Sequence, residues 1–221
     1  MRPRILVTGF EPFGHADGNP SARVVRELRK RVPRGIDLHA RILPVVAGKV
    51  ATLLPALLRR LRPDAVLCLG EARGSPTVCV ERLAINLLAF RMHDNAGVLI
   101  RDRPIVKDGP AAYWATLPTR RIAAAIRRQS IACQRSHNAD TFICNLAMYL
   151  ALHWACRQSP AVQAGFLHLP SLPGQRVAGR KPSASMPLAV QVKAVRAALK
   201  TIAADPSSGG RKTSTVSAGP L

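Results

Sequence analysis

Short apolar runs and amphipathic stretches alternate along this 221-residue chain almost from its first residue. ILVTGF (5–10) is a compact, β-rich run. A Gly- and Pro-containing loop follows, leading to Asn19, Pro20 and Ser21. Asn as the cap and Pro as the first helical residue predict a helix start there. SARVVRELRKRV then carries apolar residues at helical spacing. The pattern further predicts a strand near 37–45, a helix over 47–62 ending before Pro63, and a buried strand over 64–70 closed by Gly70. TVCVERLAIN (77–86) reads as another strand, and 87–110 as irregular. A helix around 111–128, a strand near 131–135, a helix over about 144–157 and a strand over 161–170 come next. A last helix covers roughly 186–203, and the Pro-, Ser-, Gly- and Thr-rich residues 204–221 are expected to be a disordered tail.

Strands alternating with helices of this length predict a single α/β domain over 1–203, with a mostly parallel sheet sandwiched by helices. In such folds chemistry sits in the crevice at the carboxyl ends of the strands. The loops after residues 10, 70, 86 and 169, and the helix start near 144, are therefore where a site is expected.

Composition adds detail. Apolar residues make up 48% but aromatics only 4%, so Ala, Val, Leu and Ile must do most of the packing. Apolar stretches are strand-length and broken by charge, which predicts no membrane span. MRPRILVTGF has neither the apolar region nor the small-residue site of a signal peptide. Five scattered cysteines (68, 79, 133, 144, 156) without a C-x-x-C pair fit neither a disulfide framework nor a zinc site. A reducing, cytoplasmic setting is expected. The formal charge of +21 invites a nucleic-acid reading. The bases are spread in short groups, such as Arg59, Arg60 and Arg62, without interleaved aromatics or a nucleic-acid motif. They read as solvated helix faces, with no specific nucleic-acid partner.

Among the five thiols, Cys144 stands apart because it lies at or beside a predicted helix N-terminus. Unpaired amides and the helix dipole stabilise a thiolate there, and the same amides can hold an oxyanion. A nucleophilic thiol needs a base, usually histidine. His153, nine residues along the same helix, is about 13 Å away at a rise of 1.5 Å per residue and cannot reach. His168 ends a strand just before Pro170, while His137 and His93 lie in loops and stay open by position. Glu81 shares a strand face with Cys79, Leu83 and Ile85, so its carboxylate needs a partner. That partner is either Arg82 or Arg91 in a salt bridge, or a histidine that Glu81 orients. In TGFEPFG (8–14), Phe10 and Phe13 need burial or a flat ligand to cover them. The loop lacks the G-x-x-x-x-G-K of a phosphate cradle.

LVTGFEPFG, NPS (19–21), LPVVAGK (43–49), RPDAVLCLGEARG, VERLAIN, DNAG and DGPAAYWATLP resemble segments of the pyroglutamyl peptidase I (pyrrolidone-carboxylate peptidase) family. TFICN (141–145) and AGFLHLPSLPGQ (164–175) are the most telling, and the resemblance runs from Ile5 to about Ala203. It implies a three-layer α/β/α sandwich with a Cys144–His168–Glu81 triad, needing no metal or cofactor. It further implies that Phe10 and Phe13 sandwich a pyroglutamyl ring, and that Met92, Phe142 and Ile143 help wall the pocket. Arg91 would support the oxyanion site, and Asn19 and Glu71 would bind substrate. The expected partners are peptides with N-terminal pyroglutamate, in a cytoplasmic homotetramer. The chain departs from the family at Glu71 (usually Gln, here followed by Ala72 and Arg73), at Leu88 and Ala89 (an acidic pair), at His93 (Pro) and at Asp140 (commonly Gly). Two alternatives accompany this expectation: a related hydrolase whose Glu71–Arg73 loop has changed its substrate, and a non-catalytic polyanion-binding protein on the same scaffold.

Overall fold

The computed structural model describes residues 2–14, 16–137, 139–160, 162–175 and 184–205. Eight strands and five helices follow one another among them: β1 (Arg4–Phe10), α1 (Pro20–Lys30), β2 (Asp37–Leu43), α2 (Ala47–Leu61), β3 (Ala65–Glu71), β4 (Val78–Glu81), β5 (Leu83–Ile85), β6 (Ala112–Trp114), α3 (Thr119–Arg127), β7 (Cys133–Ser136), α4 (Ile143–Ala155), β8 (Gln163–Leu169) and α5 (Leu188–Ala203). Six strands form one sheet in the order β2-β1-β3-β8-β4-β7. β2, β1, β3 and β8 run parallel, whereas β4 is antiparallel to β8 and parallel to β7.

The sheet divides the interior into two apolar clusters. On one face Val24, Val25 and Leu28 of α1 meet Ile122 and Ile126 of α3 and Val195 and Leu199 of α5. On the other, Val50, Leu54 and Leu58 of α2 meet Leu146, Tyr149 and Leu152 of α4. Helices thus cover both faces in the expected three-layer arrangement. Because α1 and α2 leave for opposite faces while β3 pairs with β1 rather than β2, the carboxyl ends of β1 and β3 flank a switch point.

Two elements differ from the sequence expectation. The strand expected over 77–86 breaks at Arg82, whose N–H donates to the Ser136 carbonyl and whose carbonyl accepts from Ala115 N–H. Its first half belongs to the main sheet, and its second pairs with β6 as a separate ribbon. The helix expected from 111 begins only at Thr119, because Ala112–Trp114 is that ribbon's second strand and Pro118 sits at the N-cap. β-formers Tyr113 and Trp114 gain cross-strand partners that a helical turn would not provide. Of the expected tail, Ala204 and Asp205 follow α5 closely, and Asp205 pairs with Arg121 at 2.7 Å. Residues 206–221 lie outside the described residues.

Candidate active site

α4 begins at Ile143, with Phe142 as its N-cap, so Cys144 is its second residue. The first intrahelical bond runs from Leu146 N–H to the Phe142 carbonyl. The amides of Ile143, Cys144 and Asn145 therefore have no acceptor within the helix. Neighbouring side chains lock this end in place. Asn145 donates to the carbonyls of Ile85 and Leu87 (2.9 and 3.0 Å) and accepts from Ile85 N–H, while Thr141 Oγ1 donates to the Ala89 carbonyl at 2.6 Å. Asp140 has φ 63°, the left-handed region. Asp tolerates that conformation through a local bond, accepting from Thr141 N–H at 2.7 Å.

The Cys144 sulfur rests on the backbone of β3. A Cβ placed on Gly70 would lie 2.7 Å from Cys144 Sγ and 2.7 Å from Phe166 Cζ. Gly70 is also the register partner of His168 on β8, which brings the imidazole beside the thiol. Phe166, two residues earlier on the same face, backs the imidazole with ring centroids 4.7 Å apart. The reversal of β4 supplies the third group: Cys79 pairs with His168 and Glu81 with Phe166, so Glu81 reaches diagonally across. His168 Nδ1 lies 2.8 Å from Glu81 Oε1, and the two residues are only 7% and 2% exposed.

Burial by itself would lower the His168 pKa. The charges and hydrogen bonds of Cys144 and Glu81 together outweigh it and raise the value from 6.5 to about 10. At neutral pH the imidazole is thus held as imidazolium against the sulfur, its Nδ1–H donating to Glu81 and its Nε2–H free for Cys144. The competing histidines are committed elsewhere: His137 contacts Arg82, and His153 Nδ1 lies 2.9 Å from the Tyr113 hydroxyl. His93 is exposed. Arg82 lies over Trp114 at 5.2 Å and Arg91 is exposed, so Glu81 pairs with His168 rather than with either arginine.

The surrounding loops form an aromatic side and a polar side. Phe13 lies 6.1 Å from Phe142, which meets Phe90 edge-on at 4.6 Å, and the Met92 methyl packs over Gly14. Phe10 belongs to the end of β1 rather than to the loop and is 2% exposed, in the same apolar cluster as Phe90 and Ile143. Ile143 is likewise buried, and Arg91 is exposed. On the polar side Glu71 Oε1 accepts from Ser171 Oγ (2.8 Å) and Gln175 Nε2 (2.9 Å), and Gln175 also donates to the Gly18 carbonyl. Asn19 caps α1 through Ser21 N–H and holds the Glu11 carbonyl at 3.0 Å. Arg73 lies over Phe13 at 5.0 Å, its Nη2 3.7 Å from Glu71 Oε2. Among the described residues Glu71 Oε2 and Arg73 Nε and Nη2 are buried without a hydrogen-bond partner.

Sequence reasoning picked out the thiol, the imidazole and the carboxylate, but not Gly70, Phe166 or Phe90, nor the brace from Ser171 and Gln175. Gly70 was legible only as the end of a strand. Its other function, leaving room for a sulfur from a distant helix, is a close approach that no local pattern encodes. Gly70→Ala is expected to lower kcat by about a hundredfold through a displaced sulfur. Overpacking should also cost about 1–3 kcal/mol of stability in a thermal melt. Unchanged kcat in a variant of lowered stability would show that the sulfur need not rest there.

The sequence model of the pyroglutamyl peptidase family matches residues 3–205. The chain is 44% identical over 197 residues to the pyrrolidone-carboxylate peptidase of Chromobacterium violaceum, covering 89% of this chain and 90% of that one. It is 41% identical over 198 residues to that of Thermococcus onnurineus, covering 90% and 98%. Its fold matches the crystal structure of pyroglutamyl peptidase I from Bacillus amyloliquefaciens with a TM-score of 0.87 at 33% identity, covering 93% and 97% of the two chains. A variant of the pyrrolidone carboxyl peptidase from Pyrococcus furiosus gives 0.86 at 33% identity, covering 90% and 97%. With the match spanning nearly the whole chain in both sequence and fold, this protein belongs to the pyroglutamyl peptidase family.

Proposed function

We propose that the protein is a cysteine peptidase that removes an N-terminal pyroglutamyl residue from peptides, with Cys144 as nucleophile, His168 as acid and base, and Glu81 orienting His168. The observation that carries this reading is the buried Glu81–His168 pair at 2.8 Å, set against a thiol at the start of a helix. Membership of the family supports the substrate class.

The reaction starts from the thiolate–imidazolium pair. Cys144 Sγ attacks the carbonyl carbon of the pyroglutamyl residue, and the oxyanion turns toward the free amides at the start of α4. His168 gives its Nε2 proton to the leaving nitrogen as the C–N bond breaks, leaving a thioester. Neutral His168 then takes a proton from water, the hydroxide adds to the thioester carbonyl, and pyroglutamate departs as the thiolate re-forms beside the recharged imidazolium.

Phe13, Phe142 and Met92 form the apolar wall of the pocket in this reading, with Phe10 beneath. Glu71 Oε2 accepts the lactam N–H. Its carboxylate cannot donate to the lactam carbonyl, but the unpartnered N–H groups of Arg73 can, so the pair together offers both halves of an amide's hydrogen bonding. Five unpaired cysteines support a reducing, cytoplasmic setting. Assembly as a homotetramer is part of the same proposal and is carried by family resemblance alone.

A panel of aminocoumarin conjugates separates this function from a changed specificity. Pyroglutamyl-coumarin should be cleaved at least about a hundredfold faster than the prolyl and glutamyl conjugates, because a buried polar pair left unmatched penalises each of those. Iodoacetamide should abolish that activity. Preferred cleavage of the glutamyl or prolyl conjugate would replace the proposed substrate.

A further inference from the structure

Basic residues that are dispersed in sequence converge in space on the helical layer of α1, α3 and α5. Two adjoining hollows, of about 530 and 440 Å³, share Gln129, Ala197 and Lys200 and so form one continuous groove. Arg31 and Arg34 enter it from the end of α1, Arg128 from the end of α3, and Lys193, Arg196 and Lys200 from successive turns of α5. Among the described residues no acidic side chain lines either hollow; Arg121 at the far rim is paired with Asp205.

Three helix carboxyl ends meet here, and a basic residue or two near each would suffice to balance its dipole. Arg29 and Lys30 in the last turn of α1, Arg127 in that of α3 and Lys200 in that of α5 already do so. The five other groove cations among the described residues, Arg31, Arg34, Arg128, Lys193 and Arg196, therefore exceed what the helix ends require. Gathered around one concavity, they repel one another and raise the local potential, a cost that a bound polyanion removes. The walls are otherwise mostly polar or small, Val32 being an exposed apolar exception, with no aromatic residue among the described lining residues. A single valine in a hollow is poorly suited to a membrane surface, which takes up a convex apolar face. A concave, aromatic-free, cation-lined channel suits a charged strand and offers nothing on which bases could stack.

We infer that this groove binds the phosphate backbone of nucleic acid, without sequence preference. It lies away from the peptidase site. Arg31 and Arg34 stand between α1 and the start of β2, at the amino ends of the strands, and Cys144 faces their carboxyl ends from the other layer. A bound strand therefore leaves the triad open, and the inference stands or falls independently of the peptidase reading.

Fluorescence anisotropy of the full chain with a labelled single strand of about 20 nucleotides tests it, between about 50 and 200 mM salt. The triple variant Arg34→Ala/Lys193→Ala/Lys200→Ala should weaken binding by roughly tenfold or more and reduce the slope of log affinity against log salt by about 2. A matched loss of three exposed charges from the opposite layer, Arg59→Ala/Arg60→Ala/Arg157→Ala, should leave binding within about threefold of wild type. Both variants should keep wild-type peptidase turnover and melting temperature, which controls for folding. Equal weakening by the two variants would overturn the inference in favour of net charge alone. Absence of binding by the wild type at the lowest salt would overturn it outright. Binding to phosphatidylserine vesicles without binding to the oligonucleotide would replace it with a membrane surface.

Discussion

Cys144→Ser should lower release of a fluorophore from pyroglutamyl-coumarin by about three orders of magnitude or more. The far-ultraviolet spectrum and melting temperature should stay at wild-type values. A serine hydroxyl at the same position cannot exist as an anion beside His168 near neutral pH, so the charge pair from which the proposed reaction starts would be lost. The substitution is otherwise conservative. Position 144 is half-buried, and the space beside Gly70 that accommodates sulfur also accommodates the smaller oxygen. Turnover undiminished in a folded Cys144→Ser protein would sink the assignment of the nucleophile.

Glu81→Gln should reduce kcat by about two to four orders of magnitude, because a neutral amide neither stabilises the imidazolium nor dictates which nitrogen carries the proton. The pH profile provides the sharper test. In the folded wild type the His168 pKa stands at about 10, raised from 6.5. A raised histidine pKa contributes stability that is fully present below pH 6.5 and is lost as pH rises through about 10. Activity should fail over the upper part of the same window, once His168 can no longer protonate the leaving amine. Removing the Glu81 charge takes away one of the interactions that raise this pKa, so both the alkaline limb of kcat/KM and the alkaline loss of stability should move to lower pH. A glutamate that merely filled space would give a less stable protein with its alkaline limb unmoved.

The chemistry was unevenly legible along the chain. Cys144 could be chosen from five thiols because a helix start is a local event, written in the residues on either side of it. His168 could only be ranked above His137 and His93, since each had a plausible position. Packing removed the rivals, with His137 engaged by Arg82 and His93 left in solvent. Glu81 was recognisable as an out-of-place carboxylate on an apolar face, but its partner was not. The pairing with His168 depends on β4 running against β8, and strand direction is a property of the assembled sheet. Phe10 and Phe13 looked equivalent by spacing. The end of β1 takes Phe10 into the interior, and Phe13 of the two stays partly exposed.

Periodicity and turn chemistry determined the succession of strands and helices, the helix that presents Cys144, and the α/β class. These are local consequences of side-chain pattern acting over a few residues. Where two segments compete for a partner, local pattern was insufficient. Residues 83–85 left the main sheet for Ala112–Trp114, and the helix expected from 111 was displaced to Thr119. Tertiary structure alone decided which histidine meets the thiol, that Gly70 must lack a side chain, that Glu71 is braced from Ser171 and Gln175, and that cations from three helices share one groove. Each of these joins groups far apart in the chain. Such contacts form only when the apolar faces of the helices and the sheet are buried together, and that burial, rather than any local preference, sets the distances between them.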